Sequence, residues 1–157
     1  MQIFQNPYHT LRQVSDPVNF FMPPAGYDNW STFENNYINL MINNGGIGMA
    51  ANQIGITQRF FAIGHSSFDE FKKPAILYNA TIIKASKEVE IDEEGCLSFL
   101  GLVYNVYRPK EVEVEWQNMK GEIMRAKLAG YEARCFQHEL DHLNGITFNL
   151  KAEENKQ

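Results

Sequence analysis

Cysteine is scarce in this sequence, blocks of basic residues are missing, and no apolar run approaches the roughly 18 residues that would suggest a membrane span. The two thiols, Cys96 and Cys135, are too few and too far apart for the disulfide framework of a small secreted domain, so a reducing compartment is expected. With a formal net charge of -5 and no Lys/Arg cluster, the chain has no electrostatic footprint for nucleic acid or an anionic membrane. The N-terminal stretch lacks the charged start, apolar middle and small-residue cleavage site of a secretory leader. These absences predict that the protein stays in the compartment where it is synthesised, the cytoplasm. What remains, 44% hydrophobic and 21% charged over 157 residues, is the composition of one ordered domain spanning residues 1–157.

Hydrophobic spacing divides the chain into helices and strands. Ser31 followed by Glu34 reads as a capping box, and Phe33, Tyr37, Leu40 and Met41 then recur at helical spacing, which predicts a helix over about 32–43. Asn44, Gly45 and Gly46 end it, because these residues tolerate the left-handed conformation that closes a helix. Short apolar and β-branched runs at 59–63 and 76–83 predict strands. Positions 111–116 alternate charged with apolar residues, and a turn at 118–121 leads into 122–128, a hairpin. A second helix is expected over about 131–144, ended by Gly145. Helices and strands without regular βαβ alternation favour an α+β fold of antiparallel sheets.

That second helix carries His138-Glu139-Leu140-Asp141-His142. Histidines four apart project from one helix face and can meet a single cation, while Glu139 between them can take a proton from a water that the cation activates. The bland reading is a solvated face on which two His and two acids fall together by chance. A soft third ligand shifts the balance, and Cys96 supplies one in Glu94-Gly95-Cys96-Leu97-Ser98, at what reads as a strand end or turn. Three ligands with an open fourth position are the arrangement of a catalytic site, whereas structural zinc sites use all four. Spacing leaves the thiol open: Cys135, three residues before His138, could share the histidine face. A glycine-rich segment from Gly46 to Gly55 allows close backbone approach and contains Gln53, an amide donor. It lacks the lysine of a phosphate-cradling loop.

Taken together, the segments Gly46 to Gly55, Glu94 to Ser98 and His138 to Gly145 resemble the three ordered motifs of the peptide deformylase family, and the short stretch after Gly145 resembles its short viral or organellar members. The early Leu11-Arg12-Gln13-Val14-Ser15-Asp16-Pro17-Val18 resembles the family's N-terminal entry. The resemblance implies antiparallel sheets around a central helix that carries the HExxH motif. It implies Cys96, His138 and His142 as ligands of one divalent ion, Fe(II) before Zn, Ni or Co. It makes Glu139 the acid/base, and Gln53 with the backbone amide of Leu97 the donors to the formyl oxygen. Gly48, Glu94, Tyr131, Arg134 and Cys135 fall in the substrate pocket.

The implied substrates are N-formylmethionyl peptides and nascent chains, from which formate is released. Direct nucleic-acid or membrane binding is not implied, and the chain ends shortly after Gly145, so the C-terminal helix by which some members reach the ribosome is expected to be missing or reduced. The pattern departs at Leu100, where the family has proline, and at Val103, near the place of an arginine that pairs with the motif's Glu. It departs also at Arg134, in place of an apolar pocket residue and a candidate partner for Glu94. Arg108 and Asp141 are candidates to hold the ligands in place. Two other functions share the histidine motif: a zinc endopeptidase, and a non-catalytic module that a metal stabilises.

Overall fold

The computed structural model describes residues 1–154. Among these residues three α-helices, α1 (Trp30–Asn43), α2 (Gly130–Leu143) and α3 (Phe148–Glu154), accompany seven strands and two short 3-10 turns. The strands are β1 (Gly48–Ala50), β2 (Phe60–Ile63), β3 (Ala75–Ala85), β4 (Val89–Gly95), β5 (Val103–Pro109), β6 (Glu111–Gln117) and β7 (Ile123–Ala129). Five form one antiparallel sheet in the order β1-β2-β3-β6-β7, and β4 pairs with β5 in a separate two-stranded arm. This is the expected α+β class.

Every residue of β2 is buried because helices cover both faces of the sheet there. Phe60 and Ala62 pack with Phe33, Tyr37 and Met41 of α1, while Phe61 and Ile63 pack with Phe136, Leu140 and Leu143 of α2. β3 follows the same two-residue period up to a bulge between Tyr78 and Thr81, sending Ile76 and Tyr78 to one side and Leu77 to the other. Under β6 only one face is covered, so Val112, Val114 and Trp116 point inward and the glutamates between them do not. A third, smaller cluster joins Phe148 and Ala152 of α3 to Phe99 and Val106 beside the arm.

The start of α1 differs from the sequence expectation. Its cap is Asn29, whose side-chain oxygen accepts from the Thr32 amide at 2.9 Å, not Ser31. Asparagine in extended backbone reaches the third helical amide as well as serine does, and Asn29 stands two positions earlier. Glu34, released from the capping box, accepts a hydrogen bond from Tyr78 Oη at 2.5 Å.

Candidate metal centre and cleft

α2 lies between the sheet and the arm, and eleven of its 14 residues are buried, six of them polar or charged. Buried polar groups cost free energy unless they are paired, so the positions of their partners define the site. At the C-terminal end the backbone carbonyl of His142 accepts from the Asn52 side chain, and Gly145, at φ 72°, packs so closely on Arg12 that a Cβ would lie 2.7 Å from its carbonyl oxygen. At the other end the Glu132 carboxylate accepts from the amides of Asp69, Glu70 and Phe71.

Between these anchors, one ligand atom from each of Cys96, His138 and His142 lies within 4.8 Å of the others. Cys96 Sγ is 3.3 Å from His142 Nε2. His138 holds its Nδ1 2.8 Å from Glu94 Oε1, which leaves Nε2 for the cleft. The set fits a single cation: two imidazoles and a thiolate, each with one nitrogen or sulfur converging, and no fourth His, Cys, Asp or Glu in the group among the described residues. Cys135 is excluded from it. Its sulfur lies beside Gly48 and donates toward the Ile47 carbonyl, although helix spacing alone allowed it as the third ligand.

Glu139 is 4% exposed and its Oε2 has no protein partner. Gly48 makes room for it, since a Cβ there would sit 2.5 Å from Glu139 Oε1 and 2.9 Å from Cys135 Sγ. Burial, reinforced by the charge of Glu94 and opposed by His138 and Arg108, lifts the Glu139 carboxyl to about 7. Burial also pushes the Cys135 thiol up and the His142 imidazolium down. For His138 burial acts downward, but hydrogen bonds with Cys96 and Glu94 and the charge of Glu139 prevail and raise it to about 10 before any cation is counted.

Gln53 is locked end to end. Its Oε1 accepts from the Ala50 amide at 2.8 Å, so Nε2 faces the cleft, 3.1 Å from Ser98 Oγ and 3.6 Å from Cys96 Sγ. The peptide plane that carries the Leu97 amide is held by its other end, the Cys96 carbonyl, which accepts from Phe99 N at 3.0 Å. Ser98 was part of the sequence motif, but nothing in the pattern marked it as the partner of Gln53. A cleft of about 470 Å³ opens onto these groups, with Gly48 and Cys135 in its wall and half-exposed Tyr131 at its mouth.

Glu94 and Arg134 also border this cleft, but their charged ends are turned inward. Glu94 accepts from Arg108 at 2.5 and 2.9 Å and from Arg134 at 2.8 Å, besides contacting His138. The expectation that Glu94 loses its arginine at Val103 is therefore corrected: Arg108 on β5 and Arg134 on α2 both pair with it. Burial would raise the Glu94 carboxyl, and the hydrogen bonds from Arg108 and His138 hold it well below the usual carboxylate range. Arg108 also reaches Asp141 at 2.8 Å, so both candidate supports join one network.

Comparison with known proteins agrees with this geometry. The family model for polypeptide deformylase matches residues 1–157. The peptide deformylase of Thermotoga sp. (strain RQ2) is 38% identical over 146 residues, 93% of this chain and 82% of that protein. That of Thermotoga neapolitana is 47% identical over 109 residues, 69% of this chain and 63% of its own length. Among solved structures, the peptide deformylase of Thermotoga maritima superposes with a TM-score of 0.84 at 36% identity, covering 96% of this chain and 95% of that one. A probable peptide deformylase from synechococcus phage S-SSM7 gives a TM-score of 0.84 at 33% identity over 96% of this chain and 99% of that one. Fold, ordered motifs and a ligand set open to a cleft converge, and the chain belongs to the peptide deformylase family, metal-dependent hydrolases that remove N-terminal formyl groups.

Proposed function

We propose that Glu139, Gln53 and the Leu97 amide carry out this hydrolysis on the N-formylmethionyl ends of nascent polypeptides, with Cys96, His138 and His142 holding Fe(II). The observation that carries the reading is the convergence of three ligand atoms within 4.8 Å beside a buried carboxylate oxygen that no protein group satisfies. A divalent ion held there supplies Lewis acidity, polarising a carbonyl and lowering the pKa of water from near 16 to about 7. Thiolate with two imidazoles suits Fe(II), Zn, Ni or Co, and Fe(II) is the ion we assign.

The chain's own residues then divide the work. Glu139 accepts a proton as the water oxygen bonds to the formyl carbon, and the carbonyl electrons move onto the formyl oxygen. Gln53 Nε2 and the Leu97 amide donate to that oxygen, whose charge grows toward the transition state, so their hydrogen bonds favour the transition state over the bound substrate. When the C–N bond breaks, Glu139 returns the proton to the amine, and formate and a free N-terminus leave. Tyr131, Gly48 and Cys135 shape the pocket for the first side chain. The reading places the activity in the compartment of translation; among the described residues no helix is long and apolar enough to cross a membrane.

The test is anaerobic metal analysis joined to formate release from formyl-Met-Ala-Ser, for wild type, Cys96→Ser and Cys135→Ser. Iron is expected in wild type and Cys135→Ser and lost from Cys96→Ser, with formate release following the metal. Cleavage of internal amide bonds without formate release would transfer the chain to the endopeptidases. Metal that persists without either activity would make the site structural.

A further inference from the structure

The sulfur ligand and the two imidazoles reach the cleft from separate pieces of the fold. Cys96 follows β4, which pairs only with β5 in the outlying arm, whereas His138 and His142 ride on α2 against the main sheet. No β-ladder among the described residues joins arm to main sheet; the chain links them at 86–88 and at Lys110, and at the other end of the arm, near Cys96, side chains that cross to α2 help to set the distance between sulfur and rings. Arg134 crosses it most completely. One turn before His138 on α2, its guanidinium donates to Glu94 Oε2 at 2.8 Å, to the Val106 carbonyl at 2.7 Å and to the Glu90 carbonyl at 2.9 Å. These acceptors lie on both strands of the arm, and Glu94 is two residues from Cys96.

We propose that Arg134 is a positioning residue for the metal ligands, clamping the arm to α2 and thereby fixing the spacing between the Cys96 sulfur and the two imidazoles. The proposal rests on the assignment of Cys96, His138 and His142 as ligands. Two of its three acceptors are backbone carbonyls, which no rotamer change can bring back if the strands drift. The rigid fork of a guanidinium spans such separated acceptors, and a lysine ammonium does not. Other ties are thinner. Arg108 pairs with Glu94 inside the arm and touches α2 only at Asp141, while His138, Gln137 and Tyr131 each add one bond, to Glu94, Pro109 and Glu93. At 2% exposure Arg134 is also shielded from the solvent that weakens surface pairs.

The test uses Co(II) as the probe ion in wild type, Arg134→Lys, Arg134→Met and Phe33→Ala, all below their unfolding temperatures. The thiolate-to-cobalt absorption band and the rate of cobalt release to a chelator are read, together with kcat and KM. Arg134→Met is expected to release cobalt about ten- to a hundredfold faster, with a weakened or displaced band and a loss in kcat rather than KM. Arg134→Lys should fall between it and wild type. Phe33→Ala, which weakens the opposite side of the sheet, should keep the wild-type band and release rate. Wild-type release from Arg134→Met, or from Arg134→Lys should the methionine variant not fold, overturns the clamp. So does equal loosening in Phe33→Ala, which would reduce the effect to stability. A wild type that binds no cobalt would sink the ligand assignment itself.

Discussion

α1 and α2 are both 14 residues long, and they lie on opposite sides of the same sheet. α1 fully buries one stripe, Phe33, Tyr37 and Met41, flanked by partly buried Trp30, Ile38 and Leu40, and turns its opposite face to solvent, the ordinary geometry of a surface helix. α2 is buried almost all round and carries Glu132, Arg134, Gln137, His138, Glu139 and His142 into the interior. A helix stabilised by an apolar stripe needs only a sheet beneath it. One that buries charge needs partners for its charged groups, and here those partners come from β4, β5 and the loop at 69–71. The atoms of α2 left without protein partners are Glu139 Oε2 and His142 Nδ1, both at the metal centre, which is where unsatisfied buried groups are expected to be functional. Both helices pack the core, and on the proposed reading only α2 also carries the chemistry.

Substitutions that hit one helix and spare the other break or sharpen this contrast. The largest effect is expected from Glu139→Gln: formate release should fall by about 10²- to 10⁴-fold, with iron content and thermal unfolding close to wild type. Retained turnover would remove Glu139 from the chemistry. Phe33→Ala should behave in the opposite sense, costing about 3–5 kcal/mol in urea unfolding while kcat per folded molecule stays unchanged. A kinetic defect there would mean that α1 and the cleft are coupled after all. Gln53→Ala should lower kcat about a hundredfold, about 3 kcal/mol of transition-state stabilisation, without loss of metal. An unchanged kcat would leave the Leu97 amide as sole donor. The smallest effect belongs to the α1 cap: Asn29→Ala should cost about 1 kcal/mol of stability and Ser31→Ala almost nothing, as read by chemical denaturation. Equal costs would restore Ser31 to the cap.

The same contrast governs what could be read from the sequence. α1, α2 and the β6–β7 hairpin were legible because one face of each meets the core, and the apolar residues recur at the period of the element. The arm was not. In β4 the alternating Val89 and Ile91 are exposed and the one buried residue is Glu94, so the pattern points away from the core it would normally reveal. β5, with Val103, Tyr104, Val106 and Tyr107, had strand composition but no turn signal tying it to a partner. β1 is only three residues, and the glycine-rich segment around it becomes a strand because β2 lies alongside. α3, one end of the small cluster with Phe99 and Val106, was too short to show a period.

Local spacing by itself determined that His138 and His142 share a helix face with Glu139 beside them, because 3.6 residues per turn is a property of the chain and needs no partner. It also offered Cys135 on geometrically equal terms with Cys96, and it left Arg134 between pocket and ion pair. Only the tertiary structure decided these. Docking of the β4–β5 arm brings Cys96 Sγ to 3.3 Å from His142 Nε2 and draws the Arg134 guanidinium onto Glu94, while α2 packed beside β1 turns Cys135 toward the Ile47 carbonyl. Contacts between residues far apart in the chain depend on how whole elements pack, and no periodicity within either element encodes that distance.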